Sequence, residues 1–588
     1  MARKVQQTLI LALAAWAAAL VPPAGAPALA EPLDPPTILH PQALDFCGIY
    51  ALRQIDPNLT GAGAALAVVC RSFTYIDNAI PGNDYRPNIA HNCFKNTTFT
   101  FYDQDPSSAG ISPHSTAICS LLFGHDPAAS SSDPELDLGQ FRYQGIAPQA
   151  RPEVYEFWHF LINNVLTQTP PEATVVTASF GQEFEGWWTR GIEALAEHHG
   201  LIVVAAIGNG FDTYSPPLYP GASANVIGVG VVDSVKAADP ATALANFALA
   251  YPEHSSSGPA GAGHSKPDIV APGNCLAADV NDPNDYNPTG SFSSFSTPLV
   301  AGAVGLLVQK AKQDPALSAA VSPAGGNCVI KAILLNAAAK LPYWHKGRLD
   351  TDDDHTAPLD HVQGAGMLDA LAAYNQLTAG QAAPGRVPAT GWDSNVLRKP
   401  DKTAEIYRIT VPQPDGAFIT VTAVWNRHYS NLFPFKPLPD ADANLRLELR
   451  AVDPNNPDND YCLDHSDSAI DNVEHIYVRA DANYTDYEIV LSFSDADNPE
   501  EPQTVQPYAL AWNTGRPENS DSILLYDLNA DGIVEAEDVA IFVNNWLEAR
   551  QTAEAYVLGD INGDGQINDL DADKLLDRVN LTADWRIE

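Results

Sequence analysis

The stretch SSFSTPLVAGAVGLLVQ, Ser293 to Gln309, joins a serine-rich lead, a proline and a long run of small and apolar residues. Ser294 stands four residues before Pro298. Proline is tolerated in a first helical turn, because the N–H it lacks has no intrahelical acceptor there. The expectation is a buried helix with a serine at its mouth, packed closely through Ala301, Gly302 and Ala303. A helix N-terminus offers unpaired N–H groups and a partial positive charge, which stabilise a developing oxyanion. Taken alone, the segment also reads as an ordinary core helix with a serine-rich lead-in.

The neighbouring segments decide between these readings. HSTAICSLLFG opens at His114, well before Ser294, and LIVVAAIGNG, Leu201 to Gly210, reads as a buried strand ending in a turn that presents Asn209. GIAPQA from Gly145, VVTASFG from Val175 to Gly181 and HSSSGPAGAGHSKPDIVAPG from His254 to Gly273 complete the set. Together these motifs resemble, in content and order, those of the subtilases, the subtilisin-like serine proteases. The resemblance spans about residues 58 to 375. It implies a doubly wound, mostly parallel α/β fold and a serine endopeptidase acting on a protein or peptide substrate. It further implies Ser294 as nucleophile, His114 as the proton carrier and Asn209 as oxyanion donor. The backbone of Ser179, Phe180 and Gly181 is implied to line the substrate cleft.

One triad position departs from the family. Its members end a strand in Asp followed by a small residue and Gly, whereas LAVVCRS puts Cys70 there. A buried carboxylate fixes the tautomer of the catalytic His and stabilises the imidazolium. A thiol is a weak acceptor with a reference pKa of about 8.5. Asp77 and Asp84, in the following loop, are alternative sources of a carboxylate, and Cys119 is a candidate disulfide partner for Cys70. The family's Gly-Thr-Ser is also replaced, by Phe292-Ser293-Ser294, with Gly290-Ser291 just upstream. Ser291 and Ser293 therefore stay open as nucleophiles. The alternative function is a pseudoprotease that binds peptides or serves as a calcium-dependent surface or scaffold module.

The chain has 588 residues, enough for several cores, and a formal charge of −40 that argues against a nucleic-acid partner. MARK, the apolar stretch Thr8–Val21 and Ala28-Leu29-Ala30 have the form of a signal peptide over residues 1–30. The expected product is secreted or attached to the cell surface, with no membrane span in the mature chain. Seven scattered cysteines give no dependable disulfide connectivity, and no Cys-His cluster indicates zinc.

The peptidase domain is expected over 31–377, closing in a helix over Gly364–Leu377, and a linker over 378–391. Short alternating strands then predict a β-sandwich over 392–514. In residues 520–588, DLNADGIVEAED and DINGDGQINDLD start at Asp527 and Asp560. The side chains of Asp527, Asn529, Asp531, Glu535 and Asp538, with the Ile533 carbonyl, have calcium-loop spacing. Asp560, Asn562, Asp564, Asn568 and Asp571, with Gln566 at the carbonyl position, repeat it. Each loop runs into one apolar-periodic helix. This resembles a type I dockerin, which implies calcium as cofactor and a cohesin-like docking partner. Calcium-dependent packing within the chain is the alternative.

Overall fold

The computed structural model describes residues 43–44, 47–71, 75–76, 80–81, 84–105, 109–132, 140–210, 216–232, 255–340, 344–347, 354–414, 417–438, 443–494, 505–515, 526, 534–549 and 569–580. The expected signal segment, 1–30, and Asp77 lie outside these residues.

Short runs of Val, Ile, Leu and Ala bounded by turn residues form the central sheet. Its strands are β1 (Ala65–Cys70), β2 (Thr100–Tyr102), β3 (Arg151–Glu156), β4 (Val175–Ala178), β5 (Ile202–Ala206), β6 (Ile227–Val232) and β7 (Ile269–Pro272). They lie in the order β7-β6-β5-β4-β1-β3-β2 with every neighbouring pair parallel. β1, β4 and β5 are buried at every position, as strands covered on both faces must be. The doubly wound α/β expectation is thus borne out. The winding direction reverses at β1, between β3 and β4, and such a switch point opens a crevice at the carboxyl ends of the strands. Cys70 ends β1 on that edge, Ser179 follows β4 and Asn209 lies just beyond β5.

α1 (Pro113–Phe123) is capped by Ser112, whose hydroxyl accepts from the Ser115 N–H. α2 (Trp187–His199) covers β5, and α3 (Ser293–Gln313) crosses β4 to β7. Gly302 permits this approach, since a Cβ there would stand 2.6 Å from Ile146 Cβ. α4 (Gly326–Ala337) is buried along its whole length. The closing helix, α5 (Ala370–Ala379), starts six residues later than its motif predicts. Gly366 holds φ at 128° and Met367 bridges Val270 and Ala339, so the helix begins only after Asp369, which caps it.

Residues 378–391 are structured rather than free: Ala382 N donates to Trp392 O, and β8 (Gly385–Arg386) pairs in parallel with the sandwich. The sandwich comprises β9 (Gly391–Arg398), β10 (Ala404–Thr410), β11 (Phe418–Val424), β12 (Leu445–Val452), β13 (Tyr461–Ser466), β14 (Val473–Arg479), β15 (Asp486–Phe493) and β16 (Val505–Thr514). One sheet runs β8-β10-β15-β12-β13 and the other β9-β16-β11-β14. β9 and β13 escape a reading by alternation because Asp393, Ser394 and Asn395, and Asp464 and His465, interrupt the apolar pattern.

α4 packs against β11 and β16 on one side and β5 on the other, so the two domains share a core. The sandwich also sends Phe435 into the α/β domain, fully buried against Val165 and Gly191, while Arg190 Nε donates to its carbonyl. In the tail, α6 (Ala536–Ala549) and α7 (Asp569–Leu576) enclose Tyr526, Val534, Val539, Phe542, Ala572 and Leu575. Among the described residues no single helix is long and apolar enough to cross a membrane.

Candidate active site

The helix at Ser293 forms, but Pro298 is its sixth residue rather than part of its first turn. A proline there removes the N–H that would bond the carbonyl four residues back, which belongs to Ser294. That carbonyl instead accepts from Ser179 Oγ at 2.8 Å. The first residue after β4 is thereby tied to the mouth of α3. Ser294 Oγ lies 3.5 Å from Ser179 O, too long for a strong O–H···O bond, so the hydroxyl is only loosely held.

Ser293 is buried beside it and fixes Asn209. The carbonyl oxygen of Asn209 accepts from Ser293 N at 2.9 Å and from Ser293 Oγ at 2.8 Å. With the oxygen committed to two donors, the amide nitrogen is the end left for a ligand. Gly208, at φ 112°, turns the chain so that its N–H faces Ser293 Oγ at 3.3 Å. Ser293 is thus a positioning residue that the motif reading left among the possible nucleophiles. Its signal is its place immediately before the serine at the helix mouth.

His114 is the second residue of α1, partly buried, with its ring 5.8 Å from Phe295, the residue after Ser294. The mouths of α1 and α3 therefore meet. Burial holds the imidazole down to about 4, so it is neutral at pH 7 and carries a lone pair.

Cys70 is buried, and its thiol shares a hydrogen bond with Ser115, the residue after His114. Burial pushes the thiol up to about 12, so it stays protonated at neutral pH. Cys119 lies beside it, yet the two are free thiols, as are all seven cysteines. The candidate Cys70–Cys119 bridge is not formed. Asp84 lies on a short strand, Asp84–Arg86, with its carboxyl group against Gly110.

Phe180 turns its ring into the core, against Phe157 and Trp188, so only its backbone is offered to the crevice. Across from it, Leu218 sits over both Gly181 and Gly208: a Cβ on the first would be 2.6 Å from Leu218 Cβ, and on the second 3.0 Å from its Cγ. Leu218 is a crevice residue that no motif marks.

Of the two tail loops, Asp527, Asn529, Asp531, Ile533, Asp560, Asn562, Asp564, Gln566 and Asn568 lie outside the described residues. Glu535, Asp538 and Asp571 lie within them. Asp538 and Asp571, the twelfth residue of each candidate loop, are fully buried, and Asp538 accepts from Glu535 N. All-oxygen donors with buried terminal carboxylates fit a hard divalent cation such as calcium.

Solved structures that match parts of this chain include three proteases. The patellamide maturation protease PatG has 14% identity and a TM-score of 0.37, over 56% of this chain and 96% of that one. A serine protease of Aeromonas sobria has 14% identity and a TM-score of 0.34, over 78% and 89%. Sphericase has 19% identity and a TM-score of 0.34, over 55% and 97%. Residues 525–580 match the type I dockerin domain. Residues 72–366 match the subtilase family, a match that begins just after Cys70. The chain belongs to the subtilase family and carries a type I dockerin domain at its C-terminal end.

Proposed function

We propose that this chain is a secreted or cell-surface serine endopeptidase that hydrolyses peptide bonds with Cys70 in place of the triad acid. The observation that carries the reading is the pair of Ser293 bonds that locks Asn209, beside a loosely held Ser294 hydroxyl. Ser294 Oγ attacks the scissile carbonyl carbon, and its proton passes to neutral His114. The oxyanion accepts hydrogen bonds from the Asn209 amide and from N–H groups at the start of α3. As the tetrahedral intermediate collapses, the C–N bond breaks and His114 returns the proton to the leaving amine. Water then releases the acyl group by the same route in reverse.

The un-ionised thiol gives the imidazolium no counter-charge. In subtilisin, removing the acid alone costs about 3 × 10⁴ in kcat and leaves the catalysis of the oxyanion hole and of binding. The expected enzyme is therefore slow rather than inert. The same protonated thiol favours the second reading, a pseudoprotease that uses the crevice to bind peptides. Serine-directed fluorophosphonate separates them. The peptidase is labelled at Ser294, and Ser294→Ala abolishes the label. A label on Ser291 or Ser293 means the helix mouth is read wrongly, and no label favours the pseudoprotease.

The tail is proposed to bind calcium through its two loops and to dock on a cohesin-like partner. Calcium there would offset the repulsion of the clustered carboxylates and let the two short helices close on their small core.

A further inference from the structure

A second group of ligating side chains lies away from the crevice, on the seam between peptidase and sandwich. His355 of the peptidase domain meets Asp464 and His465 of β13, and one ligand atom from each lies within 4.8 Å of the others. His355 Nδ1 is 2.9 Å from the His465 carbonyl oxygen and 3.4 Å from Asp464 Oδ1. The two imidazole rings stack with centroids 4.1 Å apart and planes at 24°. Asp464 is buried and already partnered: Lys346 Nζ stands 3.2 and 3.4 Å from its two oxygens, and the His465 N–H donates to Oδ1 at 2.7 Å. The His355 side chain is 44% exposed, which leaves an entry path from solvent.

We propose that His355, Asp464 and His465 form a site for a zinc-like divalent transition-metal ion that pins the two domains together. Two imidazoles and one carboxylate are the donor set such ions take. At a metal–nitrogen distance of about 2.1 Å, tetrahedral ligand atoms stand roughly 3.4 Å apart, so the two imidazoles must turn out of their stack to close the site. With Nδ1–H donating to the His465 carbonyl, ligation by His355 would use Nε2 once the ring turns that nitrogen toward Asp464. Calcium is a poor fit, since it takes 6–8 oxygen ligands and only one carboxylate is present. Three protein ligands leave a fourth position for water.

The test uses the full chain in saturating calcium, so that the tail loops hold calcium throughout. Cobalt(II) is titrated into protein freed of transition metals and the visible absorption of tetrahedral cobalt is recorded, with zinc then added to displace it. The wild type is expected to bind one equivalent more than His355→Ala or His465→Gln, or to bind that equivalent more than about tenfold tighter. His355→Ala removes a solvent-facing side chain, so it decides the matter even where His465→Gln fails to fold. Identical titrations for wild type and His355→Ala, or no tetrahedral signal, overturn the proposal and leave a metal-free, hydrogen-bonded seam.

Discussion

The substitution Cys70→Asp measures what the thiol at the end of β1 costs. With the thiol pushed up to about 12, only about one molecule in 10⁴ carries a thiolate at pH 8, whereas an aspartate of ordinary pKa, about 3.9, is fully ionised. The supply of anionic partner for an imidazolium therefore rises about 10⁴-fold. This matches the scale of the acid's contribution in subtilisin. The expected gain in kcat is up to about 10⁴, or roughly 5.4 kcal/mol of transition-state stabilisation. Desolvating the new carboxylate offsets part of it, and the Ser115 hydroxyl that now meets the thiol supplies one compensating hydrogen bond. A second signature is independent of rate. His114 lies at about 4 through burial, so the wild-type rate should rise with pH around 4 and stay level above. A nearby carboxylate favours the imidazolium, so the acid limb of Cys70→Asp should move upward. Peptide hydrolysis across pH 4–9, normalised by fluorophosphonate titration, gives both quantities, and thermal unfolding with an intact-mass thiol count verifies the fold. A folded Cys70→Asp protein with neither gain nor shift refutes the reasoning. A large loss in Asp77→Asn or Asp84→Asn would then locate the acid in the following loop.

Three further outcomes follow from the same geometry. His114 binds its proton less readily folded than at its ordinary pKa of about 6.5. The unfolded state therefore takes up more protons between about 6.5 and 4, and this contribution to stability is complete above 6.5 and lost as pH falls. Chemical denaturation of the wild type and His114→Gln at several pH values should show the difference, and parallel curves would exclude it. Phe435→Ala should destabilise the peptidase by about 3–5 kcal/mol, because it empties a buried site between Val165 and Gly191; an unchanged melting temperature would mean that the sandwich loop contributes nothing. Circular dichroism of residues 515–588 should gain helix as calcium is added, and an equally folded tail in chelator would rule out metal-dependent folding.

What could be read from the sequence is what short-range chemistry determines. Buried parallel strands announce themselves as apolar runs, and the mouths of α1 and α3 as His114 and Ser294 beside small and apolar residues. The proposed calcium loops are legible because their candidate oxygen ligands sit at fixed offsets within twelve residues. The relations that make a site out of these parts join distant positions and leave no local pattern. Ser179 and the Ser294 carbonyl are 115 residues apart, Leu218 reaches Gly181 and Gly208 only across the turn beyond β5, and Phe435 enters the peptidase from another domain. Pro298 shows how the two levels connect. Its type and position are plain in the motif, but its consequence is not, since the first-turn rule that would make it harmless fails once the helix starts at Ser293. At the sixth helical position it strips the Ser294 carbonyl of its helical partner, and the chain answers with the hydroxyl of Ser179. The strand edge that follows β4 and the serine at the helix mouth are then one mechanical unit. Ser179→Ala should accordingly loosen Ser294 without touching its hydroxyl, lowering kcat more than it raises KM. A change confined to KM would show that Ser179 serves the crevice only as a wall.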